Sequence, residues 1–200
     1  MIKYSDKIEN RFRIDVKKLK SKRSILTNVH FTNDGHIEMT NGIIAIRLFN
    51  VHDQDEQLKY GENSDEQYPN LDQIFNKTYG VRDHIGTLKT KKLEDFVESF
   101  KSIKPDKIKV DFFENEVILS LIQPEEIYDG TIGKIKHNGQ INNNTTIYFT
   151  YSYLLLVLKF MRMIGADEIE INQSGTITNP VSFSYHNLQV ILMPVRIKGV

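Results

Sequence analysis

An order of one strand, one helix and then further strands recurs three times along the 200 residues, and each copy is too short to bury both faces of its own sheet. The copies are therefore expected to share a core, with helices gathered on one side of the sheets, an α+β architecture. The third copy is the clearest. Thr145 to Tyr151 reads as a strand and Ser152 as its exit and helix N-cap. Leu154, Val157, Leu158, Met161 and Ile164 then fall on one helical face, and Gly165 is a natural stop. Glu168 to Ile171 and Val181 to Tyr185 alternate at period two, and Val190 to Ile197 is the final strand, with Pro194 breaking its ladder.

In the middle copy Thr90 is the expected N-cap, and Leu93, Phe96, Val97, Phe100 and Ile103 form an apolar stripe that Pro105 ends. Lys107 to Phe113, Val117 to Ile122 and Thr131 to Lys136 follow as strands, the first two joined at Glu114-Asn115. In the first copy Phe12-Arg13-Ile14 leads to a short helix, Val16 to Lys22. Strands Ile25 to Phe31, His36 to Thr40 and Ile43 to Phe49 come next, with a turn at Asn33-Asp34-Gly35. His52 to Val81 is a polar connector, and within it Tyr68 to Phe75 is expected to be extended. His137 to Asn144 is a second polar linker.

Composition excludes several function classes. With 26 basic and 26 acidic residues the chain has no global cationic field, so any nucleic-acid contact must be local. The absence of cysteine excludes disulfides and thiolate chemistry. No apolar stretch approaches the ~20 residues of a membrane span, and the N-terminus lacks a signal-peptide core, so a cytoplasmic protein is expected. The six histidines, His30, His36, His52, His84, His137 and His186, lack ligand spacing, so no metal and no cofactor is expected. Gly130-Thr131-Ile132-Gly133-Lys134 lacks the phosphate-loop pattern. Asp53, Asp55 and Glu56, or Glu125 and Glu126, read as solvated loop acids. No nucleophile and base pair by spacing, so the chain does not read as an enzyme.

Four separated segments carry a family resemblance. Thr40-Asn41-Gly42-Ile43-Ile44-Ala45 stands where a Thr-Asp-Gly-His-Arg-Leu turn would follow a hairpin. Tyr68-Pro69-Asn70-Leu71-Asp72-Gln73-Ile74 is similar to a Phe-Pro-Asp-Tyr connector, with Gln73 where arginine is common. Thr150 to Leu158 is similar to the helix start Asn-x-x-Tyr-Leu-x-x-x-Leu, and Met193-Pro194-Val195-Arg196-Ile197 to a C-terminal tail. In this order they resemble the bacterial sliding clamps, the DNA polymerase III beta subunits.

The resemblance implies a DNA-clamp fold built from strand-helix-three-strand half-domain units, with helices on one face of the sheets. Family chains carry six such units and this sequence shows three. It reads as a half domain at 1–60, a connector at 61–84 and a complete C-terminal clamp domain at 85–200. By position, a pocket for short peptides of polymerases and repair proteins would be lined by Thr40, Gly42, Ile43, Pro69, Ile74, Tyr153, Ile177, Ile191, Leu192, Met193, Pro194, Val195 and Arg196. Double-stranded DNA would be met without sequence specificity by Lys17, Lys18, Lys20, Lys22, Arg23, Lys159 and Arg162, with Lys91, Lys92 and Lys101 on the middle helix as weaker candidates. Two functions follow: a processivity factor assembled as an oligomer around DNA, or a clamp-derived peptide-binding module or decoy that does not encircle it.

Overall fold

The computed structural model describes residues 2–3, 8, 10–12, 29–51, 68–80, 84–103, 105–113, 116–122, 131–136, 144–173 and 178–197. In chain order the elements are β1 (His30–Phe31), β2 (Ile37–Thr40), β3 (Ile44–Leu48), α1 (Asp72–Gly80), β4 (His84–Lys89), α2 (Thr90–Ser99), β5 (Lys107–Phe112), β6 (Glu116–Ile122), β7 (Thr131–Lys136), β8 (Thr145–Thr150), α3 (Tyr151–Met163), β9 (Glu168–Gln173), β10 (Val181–Tyr185) and β11 (Leu188–Leu192). The helix expected at Val16 to Lys22, the turn at Glu114-Asn115 and most of both polar linkers lie outside the described residues.

The last two copies exchange their opening strands. β4 opens the middle copy yet pairs with β9 of the third, and β8 opens the third yet pairs with β5 of the middle one. Two antiparallel sheets result, one in the order β7-β6-β5-β8 and a seven-stranded one in the order β1-β2-β3-β11-β10-β9-β4. The helix starts repeat this reciprocity. The Thr90 N–H donates to the Asp167 carbonyl at 2.9 Å, and the Tyr151 N–H donates to the Asp106 carbonyl at 3.1 Å, so each helix is capped by the loop of the other copy. The first copy joins through β3, which pairs with β11 in the register Leu48 to Leu188, Ile46 to Val190 and Ile44 to Leu192.

Period-two alternation sets what each sheet face buries. Ile44, Ile46 and Leu48 of β3, Leu188, Val190 and Leu192 of β11, and Val181 and Phe183 of β10 enter one core with Ile108, Val110, Phe112, Ile147 and Phe149 of the other sheet. Leu93, Val97, Phe100, Leu154, Val157, Leu158 and Met161 of the helices fill it. The opposite face of β3 and β11 carries Ala45 and Ile191, which pack under Leu71 and Phe75 of the connector.

Several local expectations are corrected. Both long helices begin one residue after an extended backbone, at Thr90 and Tyr151, and neither has a side-chain cap. The loop carbonyls already serve the first amides, so the Thr90 hydroxyl is buried without a hydrogen bond and Ser152 stays exposed. Phe12 is helical and buried rather than in a strand. The middle helix ends at Ser99, six residues before Pro105, through a 3-10 turn at Phe100–Ser102, which leaves Ile103 exposed. The final strand spans Leu188–Leu192 rather than Val190 to Ile197, because the N–H groups of Met193 and Val195 go elsewhere.

The segment expected to be extended to Phe75 is extended only as far as Leu71. Asn70 accepts the Asp72 N–H at 2.9 Å through its side chain, and the Leu71 carbonyl receives the Ile74 and Phe75 amides at 3.0 Å. Leu71, Ile74 and Phe75 are spaced three and four apart, the helical interval. Gly165 does stop α3. At φ +84° it donates to Arg162 O at 3.0 Å, and Ala166 donates to Met161 O at 3.0 Å, a Schellman closure.

Candidate functional site

After β11 the chain leaves the sheet at a proline, which has no N–H to give. The Met193 N–H donates to the Ile43 carbonyl at 2.9 Å, and the Val195 N–H donates to the Tyr148 carbonyl at 2.7 Å. The tail is thus strung between the β2–β3 loop and the edge strand β8. Met193, Pro194 and Val195 are half-buried and Arg196 is exposed. Tyr153, half-buried, lies in the first turn of α3, five residues beyond Tyr148.

The β2–β3 loop is held by its own polar groups. Thr40 Oγ1 donates to the Ile44 carbonyl at 2.9 Å and accepts the Gly42 N–H at 3.0 Å, while Asn41 Oδ1 accepts the amides of Ile43 and Ile44 at 2.9 and 2.7 Å. Gly42, at φ +87°, makes the reversal. The loop therefore presents the Ile43 carbonyl to the tail from a fixed position.

The structure sorts the pocket residues into two neighbouring groups. Ile43 and Met193 meet through a backbone hydrogen bond, and Val195 is bound instead to Tyr148 of β8. Ile74 and Ile191 meet in the small apolar cluster with Ala45, Leu71, Phe75 and Tyr68. Leu192 is corrected: it is closed into the main core on the other side of β11 from Ile191, so it supports the site instead of lining it. Ile191 is itself only 1% exposed, covered by the connector. Ile177 and the basic group Lys17, Lys18, Lys20, Lys22 and Arg23 lie outside the described residues.

Beside this cluster runs a polar network that sequence reasoning missed. Arg47, 5% exposed, donates through Nε to Glu38 Oε1 at 2.7 Å and through Nη2 both to Glu38 and to Asp72 Oδ1, the latter at 2.6 Å. Its guanidinium carbon lies 4.3 Å from the Phe75 ring centre. His30 Nδ1 is 3.2 Å from Glu38 Oε2, and its ring stacks on Tyr68 at 4.5 Å. Burial, with the Glu38 carboxylate adding to it, holds the Tyr68 phenol well above the usual tyrosine range, against an opposing effect of the Thr40 backbone. The available signal was register: counting back from the Asn41-Gly42 turn sets Glu38 directly opposite Arg47.

This network borders a cavity of about 390 Å³ whose lining includes His30, Asp34, His36, Glu38, Pro69 and Asp72. Burial first, and Arg47 second, lower the His36 pKa below the ordinary histidine value. Among the described residues no group of three or more histidines and carboxylates is disposed to hold a metal ion, and no helix is long and apolar enough to cross a membrane.

Of the described DNA candidates, Lys159 and Arg162 face α2. Lys159 Nζ donates to Glu98 Oε1 at 2.7 Å, and Arg162 Nε lies 3.3 Å from Glu94 Oε2. The hydrogen bond from Lys159 holds the Glu98 carboxyl below its ordinary value. On α2 itself, Lys91 pairs with Asp95.

Solved structures share this fold. The Streptococcus pyogenes DNA polymerase beta subunit superposes with a TM-score of 0.65 at 15% identity, covering 95% of this chain and 64% of that one. The Helicobacter pylori beta clamp bound to a DNA ligase peptide gives 0.64 at 12% identity, with 98% and 65% covered. The Pseudomonas aeruginosa sliding clamp gives 0.63 at 13%, with 96% and 65% covered. The chain has the fold of the bacterial beta sliding clamps. It spans about 65% of the length of the clamps it matches. No family model matches the sequence, and no curated protein matches it significantly. The sliding-clamp fold is thus carried by a sequence that keeps few of the clamps' residues.

Proposed function

We propose that the chain is a sliding-clamp-like DNA replication accessory that receives short peptide motifs of polymerases and repair proteins. In this reading 85–200 is a complete clamp domain, 1–60 a half domain and 61–84 their connector. The pocket runs from Gly42 and Ile43 past Met193, Pro194, Val195 and Arg196 toward Tyr153, with Pro69 and Ile74 as its second apolar patch and Ile191 buried beneath it. The observation that carries the proposal is the tail pinned at Ile43 and Tyr148, which holds a half-buried methionine and proline and an exposed arginine in a segment beyond the last strand. A flexible methionine and apolar neighbours suit the leucine and phenylalanine anchors of an extended peptide.

A second reading, a peptide-binding module or decoy that does not encircle DNA, draws on one specific observation. Lys159 and Arg162 spend their charge on Glu98 and Glu94, which leaves α3 little attraction for phosphate.

The test is titration of a fluorescent peptide, a glutamine followed by spaced leucine and phenylalanine, against the intact chain, a Met193→Ala variant and a chain lacking 193–200. Saturable binding that weakens about tenfold on Met193→Ala, the loss of roughly one buried anchor contact, and vanishes with the tail is expected. Absence of binding to the folded intact chain would overturn the proposal. Mass in solution and binding to duplex DNA then separate the two readings.

A further inference from the structure

A second cavity, of about 340 Å³, lies on the face of the large sheet that carries the connector, and it shares no lining residue with the proposed peptide pocket. Strand alternation builds it. Arg47 falls on the same face of β3 as Ala45, and the register with β11 sets Gln189 directly opposite Arg47. Half-buried Phe49, then Phe75 and Asn76 of α1, complete the lining with exposed Asn50 and His186. Asn187 fixes the surround. Its side chain accepts the Ile2 N–H at 2.7 Å and donates to the Ile2 and Phe49 carbonyls at 3.0 Å, and its own carbonyl accepts the Phe49 N–H at 2.9 Å.

Arg47 decides what charge the cavity accepts. Its bonds to Glu38 and Asp72 leave from Nε and Nη2, and among the described residues nothing engages Nη1, although the side chain is almost wholly buried. The donors left to offer are those of Nη1. Two carboxylates already face this one cation, so an anion brought to it would meet excess negative charge. No carboxylate lines the cavity, so a cation would find no partner there. A neutral acceptor fits both conditions. The carboxamides of Asn50 and Asn76 call for further hydrogen bonds along a ligand's edges, and the Phe49 ring, 5.8 Å from the Arg47 guanidinium carbon, offers a stacking face. Asn50 and His186 are the two non-glycine residues with positive φ among the described residues, at +54° and +53°. Glycine would sit there with less strain, so the cavity keeps two side chains where the backbone favours none.

We propose that this cavity binds a neutral planar heterocycle with acceptors along its edge, a purine nucleoside. The base stacks on Phe49, Arg47 Nη1 donates to its edge, and the two asparagines bond its remaining polar groups. Place and ligand both differ from those of the peptide site, so failure of either reading leaves the other standing.

Titration of the isotope-labelled intact chain with inosine, followed by nuclear magnetic resonance, tests this. Saturable shifts are expected at the amides of Phe49, Asn50, Asn76 and His186 and at the Arg47 Nε–H, with a Kd of about 1 mM, the worth of one stacked base with few further bonds. Inosine monophosphate should bind about threefold more weakly, because its phosphate meets the excess carboxylate. Phe49→Leu, which removes the ring and keeps an apolar side chain, should weaken inosine about fivefold. His186→Gly should weaken it about threefold while raising the urea midpoint, a pairing that a purely structural residue would not give. Should Phe49→Leu fail to fold, His186→Gly decides. The proposal is overturned by an absence of saturable shifts at about 10 mM inosine, ten times the expected Kd. Tighter binding of the monophosphate overturns it too, as does a folded Phe49→Leu or His186→Gly variant that binds inosine as well as the intact chain.

Discussion

Arg47 is tied to its surroundings on three sides, two hydrogen bonds to Glu38, one to Asp72 and a flat contact with Phe75. A guanidinium can be buried this way because its planar fork matches a carboxylate and its face is weakly hydrated. The two carboxylates are not equivalent. The Glu38 side chain is 3% exposed and has little water to fall back on, whereas that of Asp72 is 62% exposed. Removing the arginine strands a buried charge, so Arg47→Met should cost about 3–5 kcal/mol in urea unfolding. Asp72→Asn should cost less than about 1 kcal/mol, the value of an exposed pair. The double variant Arg47→Met with Glu38→Leu should recover most of the loss. Equal small effects from both single changes would show that the pair is solvated.

At the scale of elements, α2 and α3 lie side by side and are stitched by Lys159 to Glu98 and Arg162 to Glu94. Replacing both acids by glutamine removes the compensation and frees two cations. Duplex DNA binding should then strengthen, with the slope of log affinity against log salt steeper by up to about 1.8, near 0.9 for each phosphate neutralised. Fluorescence anisotropy across a salt series measures this, and an unchanged slope would mean that these helices do not face phosphate. The stripes of both helices were legible because a 3.6-residue period marks a buried face directly. Their starts were not, since the caps are carbonyls from the partner copy, contacts with no local sequence mark. α1 was missed because its period covers only Leu71, Ile74 and Phe75, too few to tell spaced anchors from a short helix.

Across the whole molecule, the decisive feature is that the sheets cross the boundaries between the sequence repeats. The strand and helix order of the last two copies could be read. The exchange of β4 and β8 and the seam between β3 and β11 could not, because strand alternation says which residues are buried but not which strand lies alongside. The covered state of Ile191 was hidden for the same reason: it depends on a connector packing on the second face of the sheet. The exchange makes separate unfolding of copies two and three impossible without breaking both sheets. The seam extends that dependence to the first copy, whose Ile46 sits opposite Val190 in the common core. Ile46→Ala should therefore cost about 2–5 kcal/mol, as for other buried large-to-small changes. It should do so globally, with amide-exchange protection in β3, in β11 and in β5 falling by the same amount and one unfolding transition retained. If β3 alone lost protection while β5 kept its own, the first copy would be an appended body, and the β2–β3 loop would part from the tail independently of the domain that carries the tail.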